Sequence, residues 1–215
     1  VAGFISLVGM RVLPFFTAKR LGSPQVAVQP YVMWSAVLLP MAMTVLLLAN
    51  LWPHLAGAFG IAAGVVNAVQ LKRWWQRGVA NEPMLWILFA GYACTALGLA
   101  VSGIAQWQPQ YLSLGVHLIG VGGIGLMTIG MMVRTALGHT GQALYPAPRL
   151  MPLAFYLMMA ATVLRALSAL LMQVNLTAYL HSYRLSGILF AAALLLYVWR
   201  YTPWLLRPRR DGKAG

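Results

Sequence analysis

The stretch Val116–Leu144, V-H-L-I-G-V-G-G-I-G-L-M-T-I-G-M-M-V-R-T-A-L-G-H-T-G-Q-A-L, decides the fold class. It has the length and apolarity of a membrane-spanning helix, which needs about 20 residues. It also carries His117, Arg134, His139, threonines and a run of glycines, which contact with lipid does not require. Polar and ionisable side chains at membrane depth are costly and usually face a bundle interior or a cofactor. His117 and His139 stand roughly 33 Å apart at helical rise, so they cannot bind one metal ion between them.

The whole chain shares this character. Hydrophobic residues make up 61% and charged residues 8%, and the mean hydropathy is +0.77. A soluble domain carries about 25% charged residues, so the chain reads as an all-α, polytopic bundle of transmembrane helices. The net charge of +13 arises from 15 Lys and Arg against Glu82 and Asp211. In a membrane protein such an excess reports orientation. No basic face outside the membrane supports nucleic-acid binding. A lone cysteine, Cys94, excludes an internal disulfide and a Cys-rich metal site, and it reads as a small buried hydrophobe.

Hydropathy gives one truncated N-terminal span at Val1–Phe16 and six full spans: Tyr31–Trp52, Leu55–Trp75, Met84–Trp107, Tyr111–Gly138, Met151–Val174 and Tyr183–Leu206. They form a single transmembrane domain over residues 1–215. The chain starts with Val1 inside an apolar run, which reads as a longer protein cut within a helix. Lys19, Arg20, Lys72, Arg73, Arg77, His139, Arg149 and the tail charges Arg207, Arg209, Arg210 and Lys213 fall in alternate connections. The other connections are nearly neutral. The positive-inside rule then makes the basic connections and the C-terminus cytoplasmic. His54 and His181 fall in outer connections, His117 lies ~9 Å inward from the outer end of its span, and His139 lies at the cytoplasmic face.

Histidine is a ligand for iron, copper or zinc. His117 is therefore read either as a metal or haem ligand or as a bundle histidine hydrogen-bonded to a neighbour. By helical spacing it shares a face with Gly120, Thr128 and Thr135. Arg165 lies in the outer half of its span with no acidic residue in the membrane to pair with it. Such an arginine snorkels to the headgroups or meets a carbonyl cage, water or an anion such as a haem propionate. Arg11 and Arg134 stand at the cytoplasmic ends of their spans and are expected near His139. Asn67 and Gln70 suggest a buried or wetted face. Gly60-x-x-x-Gly64 is a helix-packing signal. No paired carboxylates, Ser-His-Asp set, phosphate-cradling loop or Glu-x-x-His is present.

Three blocks resemble one family: G-M-R-V-L-P-F-F-T at Gly9–Thr17, His117 followed by G-G-I-G-L-M-T-I-G-M-M-V-R-T-A-L-G-H-T-G at Gly122–Gly141, and L-R-A-L at Leu164–Leu167. The chain resembles the NnrS family of bacterial inner-membrane proteins. That resemblance implies haem and copper as cofactors, a role in nitric oxide metabolism or nitrosative stress, and nitric oxide or iron–nitrosyl species as partners beside the lipid bilayer. It implies that the chain is the C-terminal half of a protein of about twelve spans. It also directs functional weight to Arg11, His117, Arg134, His139 and Arg165, with His54 and His181 as further metal-ligand candidates. Two other readings of the same residues are a small-anion permease without a prosthetic group and a passive subunit of a respiratory complex.

Overall fold

The computed structural model describes residues 1–145, 148 and 150–209. Seven helices are long and apolar enough to cross a membrane, and no strand occurs among the described residues. In chain order they are α1 (Ala2–Leu21), α2 (Pro30–Leu48), α3 (Pro53–Trp74), α4 (Pro83–Ile104), a composite fifth span, α7 (Met151–Leu171) and α8 (Leu176–Leu205). The fifth span is built from α5 (Leu112–His117), a π-helical segment (Leu118–Leu126) and α6 (Met127–His139).

Prolines set several starts. Pro30, Pro53 and Pro83 occupy the first helical position, where the missing N–H costs nothing and the fixed φ suits a helix. The α2–α3 corner is tight, with Asn50 and Trp52 both at positive φ (55° and 41°). Such a backbone is unusual for a residue as bulky as Trp52. α6 ends in a Schellman motif: Gln142 N–H donates to the Leu137 carbonyl at 3.0 Å and Gly141 N–H to Gly138 at 3.4 Å. Gly141 supplies the left-handed φ of 68° that this cap requires. The turn expected around His139 is therefore present.

Two boundaries differ most from the hydropathy reading. α1 runs on to Leu21 instead of stopping near Phe16, passing through Pro14 without breaking. α8 begins at Leu176, not Tyr183. The Asn175 side chain caps it, accepting from Ala178 N–H at 3.0 Å. His181 therefore lies on the early turns of α8, not in a connection. At 30 residues α8 is ~45 Å long, more than a bilayer core, so it protrudes or tilts. The tail charges Arg210 and Lys213, Asp211, and Arg149 of the fifth connection lie outside the described residues.

α4 is the centre of the bundle, packed by α3, α1, α5 and the π segment. Its seam with α3 is made by small residues. A Cβ on Gly64 would lie 2.6 Å from the Ala96 carbonyl oxygen, and one on Gly103 would lie 2.5 Å from that of Gly57. The backbones touch, as small-xxx-small seams permit. Beside that seam Asn67 is fully buried and Gln70 nearly so, as expected. Asn67 donates to the Ala63 carbonyl at 2.7 Å and accepts from the Tyr92 hydroxyl. Trp74 is buried, tilted against Tyr92, and so does not belong to the exposed aromatic belt formed by Trp34, Trp52, Trp75, Trp107 and Trp199.

Asn67→Leu leaves the Tyr92 hydroxyl unsatisfied and is expected to cost about 1–3 kcal/mol. The double variant Asn67→Leu/Tyr92→Phe, which removes both polar partners, should recover most of that loss. Thermal unfolding in detergent measures both. Additive losses would show that the pair is not coupled.

Glu82 pairs with Arg20, joining the connection after α3 to the end of α1. Lys19, Arg20, Lys72, Arg73, Arg77 and Arg207 thus mark one basic end of an up-and-down bundle, and His117 and Arg165 lie toward the other.

Candidate functional site

The π segment starts immediately after His117. π-helical turns are rare and cluster at functional sites. Here the sequence L-I-G-V-G-G-I-G-L supplies the reason. Gly122 and Gly123 press on α4, where added Cβ atoms would collide with Cys94 and Thr95. The wider winding delays the helix phase. As a result the expected common face of His117, Gly120, Thr128 and Thr135 does not form. Thr128 and Thr135 line a cavity against α1, whereas His117 turns toward α8.

His117 is half-buried. Its Nδ1 lies 3.2 Å from the Ser113 hydroxyl one turn earlier, and its ring meets Tyr183 edge-on with centroids 6.4 Å apart. Nε2 makes no hydrogen bond within the described residues. The Arg165 guanidinium stacks over the same ring at 3.8 Å. Arg165 Nε donates to the Ser186 hydroxyl at 3.1 Å, and a terminal nitrogen donates to the Tyr183 carbonyl at 3.4 Å. The Ser186 hydroxyl donates in turn to the Ala161 carbonyl at 2.7 Å. His117 and Arg165 are thus brought together against Tyr183, as their estimated depths suggested. Arg165 is not a bare charge: a carbonyl, a hydroxyl and an aromatic face hold it, and its remaining N–H groups have no partner among the described residues. Beside this group, a Cβ on Gly120 would meet nothing within 4 Å, and one on Gly187 would meet only Arg165 at 3.8 Å.

The basic end has a different composition from the one expected. Arg134 is buried, stacks over Phe16 at 3.9 Å and donates to the Met84 carbonyl at 2.9 Å. A cavity of ≈ 250 Å³ beside it is lined by Lys19, Arg20 and Tyr145, and by neither Arg11 nor His139. Both of those side chains are exposed. Arg11 precedes Phe16 by five residues on α1 and His139 follows Arg134 by five on α6, which turns each to another face.

A family model described as NnrS protein matches residues 1–209. The chain belongs to the NnrS family. The comparison with curated proteins and the comparison with solved structures each gave no match. As a member of NnrS with seven spans, the protein is a multi-pass membrane protein. The remaining NnrS candidate ligands stay apart. His54 is exposed and stacks on Trp107 at 5.3 Å. His181 is exposed on α8. No group of three or more His, Cys, Asp or Glu able to hold a metal occurs among the described residues. Sequence reasoning missed Ser113, Tyr183 and Ser186. The available signal for the last two was their spacing, since positions three apart share a helix face and both lie within the expected span Tyr183–Leu206.

Proposed function

We propose that this NnrS chain holds haem in the membrane, at the end of the bundle where His117 and Arg165 converge, and acts in nitric oxide metabolism or resistance to nitrosative stress. The observation that carries the reading is the grouping of a histidine nitrogen without a partner, an arginine with spare N–H groups and two glycines that leave open surface. These features fit a flat group with one axial ligand and an anionic edge. Haem supplies iron, which binds small diatomic ligands.

The chain's own residues do the rest. His117 would hold the haem iron through Nε2, and Ser113 at Nδ1 would fix the ring's rotation. Arg165 offers its free N–H groups to a carboxylate, and the guanidinium fork matches that geometry. Tyr183 and Ser186 hold the guanidinium in one plane, so little side-chain entropy is lost when the anion arrives. Glycines at 120 and 187 keep the adjacent surface flat. Copper is different: no three of the described His, Cys, Asp and Glu residues gather to hold it. By the positive-inside rule, the basic end of the bundle and the C-terminus face the cytoplasm of a bacterial inner membrane.

Arg165 gives the test. A charge-assisted hydrogen bond contributes about 1.5–3 kcal/mol, so Arg165→Leu should release haem to an apomyoglobin acceptor about 10–100 times faster. Arg165→Lys should fall between, since it keeps charge without the fork. The axial ligand signature should persist in both. Haem release at the wild-type rate from Arg165→Leu would remove the arginine from the site.

A further inference from the structure

Two recesses lie between α1 and α6, away from His117. The two helices splay apart and leave two adjoining cavities that share Met131 and Thr135. The larger, ≈ 390 Å³, is almost wholly apolar, with Phe4, Val8, Ile124 and Met127 among its walls. Phe4 and Ile124 are exposed, so this chamber opens at the side of the bundle. The smaller, ≈ 250 Å³, is the basic cavity of Lys19, Arg20, Arg134 and Tyr145.

The basic cavity is built but unsatisfied. Arg134 is only 8% exposed, yet its Nε has no hydrogen-bond partner. The Tyr145 hydroxyl is buried against that guanidinium, and no hydrogen bond of good geometry satisfies it among the described residues. Buried donors of this kind are rarely left unpaired. The Arg20 guanidinium stacks on the Tyr145 ring at 4.0 Å. Glu82 neutralises Arg20 alone, which leaves Lys19 and Arg134 uncompensated at the cavity. An oxyanion reached by both Arg134 and the Tyr145 hydroxyl would satisfy these donors and offset this charge.

We propose that the α1–α6 cleft binds one anionic phospholipid, its phosphate held by Arg134 and Tyr145 and an acyl chain in the apolar chamber. The continuity of the two cavities selects a phospholipid over a free phosphate. A free phosphate would use only the basic part and leave the apolar chamber without an occupant. The position fits the headgroup level at the basic end, where juxtamembrane cations attract anionic lipid. The site stands independently of any haem at His117.

The test is native mass spectrometry of the full, haem-loaded chain after delipidation, titrated with dioleoylphosphatidylglycerol, dioleoylphosphatidylcholine or glycerol 3-phosphate. The expected result is one tightly held phosphatidylglycerol per chain, bound at least 10-fold more tightly than either of the others. Tyr145→Phe removes only the orphan hydroxyl and should weaken phosphatidylglycerol about 5-fold. Thr128→Trp, which fills the apolar chamber, should weaken it at least as much. Neither should alter the haem spectrum. Glycerol 3-phosphate binding as tightly as phosphatidylglycerol would overturn the lipid assignment in favour of a soluble phosphate. Wild-type phosphatidylglycerol affinity in both variants would overturn the site.

Discussion

Replacing His117 with alanine is expected to remove the Soret band from the purified protein, or to leave a weakened and shifted band with less than a tenth of the wild-type haem. The size of the effect follows from the geometry. Nε2 of His117 is the ring nitrogen left without a hydrogen bond at the proposed haem site, because Ser113 occupies Nδ1. Nothing nearby replaces it. His54 is engaged with Trp107 and exposed, and His181 is exposed on the outermost turns of α8. His54→Ala and His181→Ala should therefore retain the band. Ser113→Ala should retain haem but shift the spectrum slightly, since it frees the ring to rotate and lowers the nitrogen's basicity. Optical spectra at equal protein concentration compare all four variants. A wild-type spectrum from His117→Ala would mean that another residue is the ligand.

The second large effect belongs to the fold. Gly103→Ile should prevent accumulation of folded protein. Any Cβ at this position lies 2.5 Å from the Gly57 carbonyl oxygen and 2.7 Å from the Ile61 backbone nitrogen. Both are backbone atoms, so no side chain can rotate away and α3 must separate from α4. Overpacking a well-filled interior costs typically 1–3 kcal/mol where side chains can adjust. Here the two helices at the centre of the bundle would have to move, which places the cost above that range. Gly138→Ala is the matched control, because a Cβ there meets nothing within 4 Å. Size-exclusion profiles in detergent, followed by thermal unfolding, distinguish them. A monodisperse Gly103→Ile protein melting within a few degrees of wild type would show that the α3–α4 seam is not as rigid as the geometry requires.

The spans were legible in the sequence because a bilayer demands about 20 apolar residues in a row and proline marks helix starts. The pairing of His117 with Arg165 was also legible, since helical rise gives depth and short connections bring consecutive spans together. Lateral direction was not. It depends on helix phase, and the π segment after His117 changes the phase in a way that a uniform helical repeat does not anticipate. Thr128 and Thr135 went to the α1 cavity for that reason. Arg11 and His139 were expected beside Arg134 because all three share a depth. Neither lines the cavity beside Arg134, because Arg11 stands five residues from Phe16 on its helix and His139 five from Arg134, and each faces another way. Tyr183 and Ser186 lay inside the expected span Tyr183–Leu206 and escaped notice because hydropathy does not tell which face of α8 meets Arg165.

The most direct test is the visible spectrum of the purified wild-type chain, with haem quantified as its pyridine haemochrome. Haem held in the membrane by His117 and Arg165 predicts a Soret band that survives washing, at about one haem per chain. A folded, monodisperse protein with no Soret band after expression with ample haem would contradict it, and would leave the glycine-rich fifth span and Arg165 to be explained by solute passage.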